Sequence, residues 1–291
     1  MSFLRASLLF IAVASLSSLP VRGDTDSDKK AIALGKAMDV GGQNEKIRVA
    51  GEFAKMGESA RVAAKSLAQA CTDPNQKVSV ASFEALEKVW PELAEAGTWL
   101  VSDKNEQFNI SENRAKACET ILGLGSDAGV PFLVYHFRTR IGVEEDAFQV
   151  NTALVATAEA LTKLAPDDPM FHKTLMLAAG PGNRKNRNRV LALKTLANVV
   201  EMKVNTKLRK EAIPLFRSTI AMVPNSAAGR NHSREQLAEF RGAAVTGLGN
   251  CGRDARADLQ TLRTMKFKDE NETVRKLAAE AVSKLESDTG K

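Results

Sequence analysis

The sequence predicts an all-α fold: a right-handed α-solenoid, or superhelix, of stacked antiparallel helical hairpins. Three observations predict it. Alanine, the best helix former, fills 42 of 291 positions, while Tyr and Trp, two of the strand formers, occur once and twice. Alternation with period two is nearly absent, and apolar residues recur at helical spacing in blocks of roughly 12–18 residues. Those blocks also repeat one another, which points to an array rather than to one or two globular domains. A composition 44% hydrophobic and 26% charged excludes general disorder.

Taken in order, the chain opens with Met1 to Arg5, a basic start, and a mostly apolar run of residues 8–19. That run is too short to cross a bilayer as a helix. Val21-Arg22-Gly23 then offers a cleavage point before Asp24, so residues 1–23 read as a signal peptide, with a buried N-terminal helix as the alternative. Export to the periplasm or the extracellular space follows, with no membrane span in the mature chain. Cleavage would remove Arg5 and Arg22 and leave 39 basic against 35 acidic residues, a mild +4. Residues 24–42 read as a capping helix, over residues 27–39, and a Gly41-Gly42 linker. Residues 43–287 carry the repeat, and 288–291 read as a disordered tail.

The repeating unit is an Ala-rich helix with a large apolar anchor, two spacers and a second large apolar residue. It appears as Ala50…Phe53…Met56, Ala81…Leu86…Val89, Ala117…Ile121…Leu124 and Ala156…Leu161…Leu164. It returns as Ala192…Leu196…Val199, Ala243…Val245…Leu248 and Ala278…Val282…Leu285. The anchors at 53, 86, 121, 161, 196, 245 and 282 differ by 33, 35, 40, 35, 49 and 37 residues. The long fifth gap contains the loop at residues 225–231. Small residues let helices cross closely, and Leu, Val and Phe beside them fill the layer. One hairpin cannot bury its own apolar face, whereas stacked neighbours can.

A second helix is predicted after each of the first six units, giving six hairpins and a final helix. Pro91, Pro131 and Pro214 read as first-turn prolines, where the missing N–H costs nothing. Asp73-Pro74-Asn75-Gln76 reads as a cap at Asp73, Ser233-Arg-Glu-Gln236 as a capping box, and Asp168-Pro169 as another helix start.

These residues resemble HEAT repeats, in particular the short bacterial form named after phycobilisome lyases. Asp269 followed by Val274-Arg275-Lys-Leu-Ala278-Ala279-Glu-Ala281-Val282 is very like that consensus, and Ala128-Gly-Val130-Pro131-Phe-Leu133 is like the start of its second helix. The resemblance covers roughly residues 43–287 and is strongest in the last unit. The Arg it leads one to expect is missing at Val78-Ser79, and Arg48 stands one turn out of place. A tetratricopeptide array has a suitable period, but its Trp, Leu-Gly and Tyr signature is absent. The resemblance implies that the second helices line the concave side of the stack.

Chemistry is sparse. Cys71, Cys118 and Cys251 fit no metal motif and read as buried apolar side chains, with one disulfide plus a free thiol as the alternative. His136, between Phe132 and Phe137, reads as packed and hydrogen-bonded. Asp168 and His172 could share a helix face, but two ligands make no metal site, and Asp168 reads as a cap. No nucleophile elbow or phosphate loop occurs. No catalytic residue, metal or cofactor is therefore assigned.

Charge is uneven, however. Residues 184–217 hold ten basic side chains against Glu201 and Glu211. Such a run is a solvated face or a docking patch for an acidic partner. The function expected is that of an exported, monomeric, non-catalytic scaffold that binds a protein partner. Lys207, Arg209, Lys210 and Arg217 are the candidate contacts. The alternatives are a polyanion binder, for nucleic acid or acidic polysaccharide, and a lyase-like or enzyme-accessory subunit.

Overall fold

The computed structural model of the chain describes residues 26–102, 110–142, 152–181, 186–202, 205–224, 226, 229–230 and 232–287. The expected leader, residues 1–23, and the tail, 288–291, lie outside these residues, as do Arg184, Lys185 and Lys203 of the basic stretch. Every regular element among the described residues is helical. Helix α1 (Asp26–Val40) is one residue longer at each end than the sequence predicts. Six pairs of helices follow. They are α2 (Gln43–Met56) with α3 (Ala64–Cys71), α4 (Gln76–Val89) with α5 (Pro91–Val101), and α6 (Ile110–Gly123) with α7 (Val130–Arg140). Then come α8 (Thr152–Leu164) with α9 (Pro169–Ala179), α10 (Asn186–Glu201) with α11 (Thr206–Ile220), and α12 (Arg234–Asn250) with α13 (Leu259–Lys268). Helix α14 (Glu272–Ser287) ends the order. Single 3-10 segments, Gly57–Ala63 and Gly252–Asp258, lead into α3 and α13.

Neighbours pack in two series. Among first helices, α2 packs on α4, and α6, α8, α10, α12 and α14 pack each on the next. Among second helices, α5 packs on α7, α7 on α9, α9 on α11, and α11 on the segment before α13. Helix α6 also packs on α5, and α3 reaches α7. The predicted anchors explain this. Phe53, Leu86, Ile121, Leu161, Leu196 and Val245 have no exposed surface, Val282 is buried, and all belong to one core. The core also holds Ala50, Ala117, Ala192, Ala243 and Ala278. At the tightest approaches even alanine would be too large. A methyl group on Gly97 would stand 2.5 Å from the Phe132 ring, and one on Gly247 would stand 2.3 Å from Phe216. The glycines after α2, α6 and α12 serve the backbone instead. Gly57, Gly125 and Gly252 take positive φ, the turn that closes a helix and that a side chain resists.

Two helix starts differ from the sequence expectation. The cap of α4 is Asn75, whose side chain accepts from the backbone N–H of Lys77 and Val78. Asp73 accepts instead from Asn75 N at 2.8 Å and pairs with Lys46 at 2.7 Å, so it braces the turn. Pro214 does not open a helix, because α11 starts eight residues earlier at Thr206 and runs through it. The carbonyl left without its N–H partner is that of Lys210, on an exposed face where water can serve it. The other signals act as read: Ser233 and Gln236 form a reciprocal capping box, Asp168 caps α9, and Pro91 and Pro131 lie in first turns.

A side chain on a first helix also closes the carbonyl end of the second helix before it. Ser79 Oγ donates to Cys71 O at 2.7 Å, and Arg114 Nη2 to Ser102 O at 2.6 Å. Arg189 Nε donates to Ala179 O at 3.1 Å, and Arg275 Nη1 to Asp269 O at 2.7 Å. Each stands seven residues before its anchor, at 86, 121, 196 and 282. Three bring a positive charge to the negative end of a helix dipole. Ser79, where the expected Arg is missing, makes the same bond without the charge. Arg241 reaches Met222 O after α11 from one turn further along α12, while Asn188 of α10 takes Ile141 O after α7.

Candidate functional site

All four candidate contacts lie on α11, but they differ in what they touch. Lys207 is almost fully solvated, its side chain 92% exposed, with Glu211 at 3.8 Å one turn on. Lys210 is exposed. Arg209 is largely covered and faces Asp254 at 3.9 Å. Arg217 grips the buried carboxylate of Asp258 with two hydrogen bonds, of 2.6 and 2.9 Å. Asp254 and Asp258 belong to the 3-10 segment before α13. The two arginines therefore join α11 to the next pair, and Lys207 and Lys210 carry the solvent-facing charge of this helix.

The rest of the basic stretch divides similarly. Lys194 and Arg187 are exposed. Arg189 is 1% exposed, with its guanidinium 4.6 Å from the Phe240 ring centre and 3.3 Å from Met222 Sδ. Burial lowers its pKa, and the Ala179 carbonyl and the ring face supply the negative partners. Composition and charge alone do not set this arginine apart as internal. Its position seven residues before an anchor is the signal that could have found it. Beside it Arg241, also buried, holds Asp269 with two bonds of 3.0 Å.

One polar cluster lies inside the core. His136 Nδ1 is 2.9 Å from Thr157 Oγ1, and Cys118 Sγ is 3.2 Å from the same oxygen. Thr157 donates its own proton to Ala153 O at 2.6 Å, so it accepts from both neighbours. His136 Nε2 is buried and makes no hydrogen bond. Burial, then the charges of Arg114 and Arg140, lowers the imidazole pKa to about 3. The ring is therefore neutral at any physiological pH. Burial likewise raises Cys118 to about 11 and Cys251 to about 12, and pushes Cys71 up as well. All three cysteines are free buried thiols, so the disulfide alternative does not hold. As neutral thiols they are poor nucleophiles. His172 Nε2 bonds to Pro166 O at 2.6 Å and Asp168 caps its helix, so the Asp-His pair serves local structure.

No family model matches the chain, and no curated protein matches it. Among solved structures, a crystal structure of an engineered protein is similar over 89% of this chain and 97% of its own, at 16% identity and a TM-score of 0.35.

Proposed function

We propose that the chain is an exported, non-catalytic scaffold: a right-handed α-solenoid of HEAT-like hairpins that binds a protein partner along its second helices. One observation carries the reading. The seven anchors are buried in one continuous core with Ala50, Ala117, Ala192, Ala243 and Ala278, and Ala81 and Ala156 pack against it half-buried, whereas the second helices keep a solvent-facing stripe beside it. Repetition of that kind commits apolar side chains to stacking and leaves an extended surface for recognition. The polar groups in the core support a structural part: the thiols are held neutral, and His136 and His172 are turned to Thr157 and to Pro166 O. Lys207 and Lys210 are the working contacts on α11, with Arg209 and Arg217 setting its angle to the next pair.

Small-angle scattering of the mature protein tests the shape, and an elongated profile is expected. Capture from the native envelope extract tests the role, with N-terminal sequencing of the exported protein beside it. A globular scattering profile, or a mature chain that starts at Met1, would sink the corresponding part.

A further inference from the structure

The second helices present more than Lys207 and Lys210, and their registers can be compared. Leu133, Phe171 and Leu208 are each buried in the first turn of α7, α9 and α11. Tyr135, Lys173 and Lys210 follow two residues on in each helix, with both lysines exposed and Tyr135 partly so. Asn205 Nδ2, just before α11, donates to Pro166 O, just before α9, at 2.9 Å, which ties the starts of the two helices together. On the far side of α11, Arg253 and Arg256 of the adjoining 3-10 segment are exposed with the spacing of Lys207 and Lys210. Arg138 adds an exposed charge on α7. Four successive elements thus carry six exposed basic side chains besides Arg217, which is paired with Asp258. The exposed acids among them are Asp167 and Glu211, the latter beside Lys207. Asp254 and Asp258 face Arg209 and Arg217 and leave the six in excess.

Helix α9 brings something a plain polyanion would not need. Met170 is 40% exposed and Leu177 is 69% exposed, on either side of Lys173 on one stripe. Aliphatic side chains among lysines offer no flat ring to a nucleobase, but they do offer a seat to another aliphatic side chain.

We infer that this series, from α7 to the segment before α13, is a track for an extended acidic polypeptide lying across the helices. Packed helices stand about 8–10 Å apart and an extended chain advances about 3.3 Å per residue, so every third residue of the ligand meets a new helix. The ligand that fits has an acidic side chain at that period and an aliphatic one over α9. This assignment rests on the scaffold reading above and names its partner class.

The test is fluorescence anisotropy with a labelled fifteen-residue peptide of repeated Glu-Ser-Leu. Its Lys-Ser-Leu counterpart, oligothymidylate and heparin serve as competitors. The Glu peptide should bind saturably and more weakly as salt rises, because exposed charges are screened. Lys173→Glu/Lys210→Glu/Arg256→Glu should weaken it about tenfold or more, and Met170→Ser/Leu177→Ser several-fold. Lys194→Glu, on the first helix α10, should leave it unchanged. All substituted side chains are exposed, and an unaltered helical circular dichroism spectrum shows that each variant is folded. Equal binding of the two peptides, or indifference to the triple reversal, overturns the track. So does tighter binding of oligothymidylate or heparin that ignores Met170 and Leu177. An elongated scattering profile from the same samples answers for the scaffold separately, so either reading can fail without the other.

Discussion

Glycine-to-alanine substitution should have opposite signs at two helical positions of this chain. Gly247 lies in α12, where a Cβ would meet Phe216 Cζ at 2.3 Å and two further ring atoms at 2.6 Å. Carbon atoms in contact sit about 3.5–4.0 Å apart, so the ring would have to retreat by more than an ångström. Phe216 has no exposed surface and cannot do so freely. Overpacking of that size costs about 1–3 kcal/mol, against about 1 kcal/mol gained by replacing a helical glycine. Gly247→Ala should therefore lose up to about 2 kcal/mol. Gly51 lies inside α2, and a Cβ there meets nothing within 4 Å. Gly51→Ala should keep most of the helix gain, about 0.5–1 kcal/mol. For a chain of this size 1 kcal/mol moves the midpoint about 2–4 °C. Thermal melts followed by helical circular dichroism should show Gly247→Ala lower by up to about 8 °C and Gly51→Ala higher by about 1–4 °C. If both variants melt above the parent, the close crossing of α11 and α12 is not what Gly247 serves, and the packing argument fails.

Three further outcomes are expected. Arg241→Met strands the Asp269 carboxylate, only 7% exposed, and should cost about 3–5 kcal/mol in urea denaturation; adding Asp269→Asn should recover part of it. The thiols of Cys71, Cys118 and Cys251 should resist an aromatic disulfide reagent at pH 8 in the folded protein and all react in urea; fast modification of the folded chain would contradict their burial. His136 should make folding acid-sensitive. Its pKa is about 3 when folded and 6.5 ordinarily, so between those values the unfolded chain binds the extra proton. Stability should be level in this respect above pH 6.5 and fall by about 1.4 kcal/mol per unit below it. His136→Gln should show a shallower acid decline in urea midpoint; an identical slope would remove the histidine from the account.

Much of the fold was legible because it is written by repetition. Buried anchors at helical spacing with alanine around them leave little choice of element, and all seven predicted anchors are buried. Local hydrogen-bond chemistry was legible where one side chain has one available partner, as at Ser233 and Asp168. It was less so at Asp73 and Pro214. There, competing partners decide: Lys46 draws Asp73 away from a cap, and the exposed face of α11 tolerates an internal proline. The candidate face was legible only as total charge. Arg189 is set apart only by its place seven residues before an anchor, and nothing in the spacing of Lys207, Arg209 and Arg217 distinguishes a solvated side chain from two ion pairs. That depends on Asp254, Asp258 and Phe240, which lie more than thirty residues away in sequence.

The ties that close each second helix have a consequence for where the chain comes apart. After α3, α5, α9, α11 and α13 the tie is a hydroxyl or guanidinium on a backbone carbonyl, and neither changes its charge between mild acid and neutral pH. Helix α8 has Leu154 at the corresponding position, and its polar link to α6 and α7 runs through Thr157 to Cys118 and His136. This seam, which the Asn188 amide also ties through Ile141 O, thus includes a group that acid can protonate once it opens, because the imidazole recovers its ordinary basicity in water. Proton uptake would then hold the seam apart. Acid should therefore act on the molecule here, where opening the packing of α6, α7 and α8 exposes a ring nitrogen that takes up a proton.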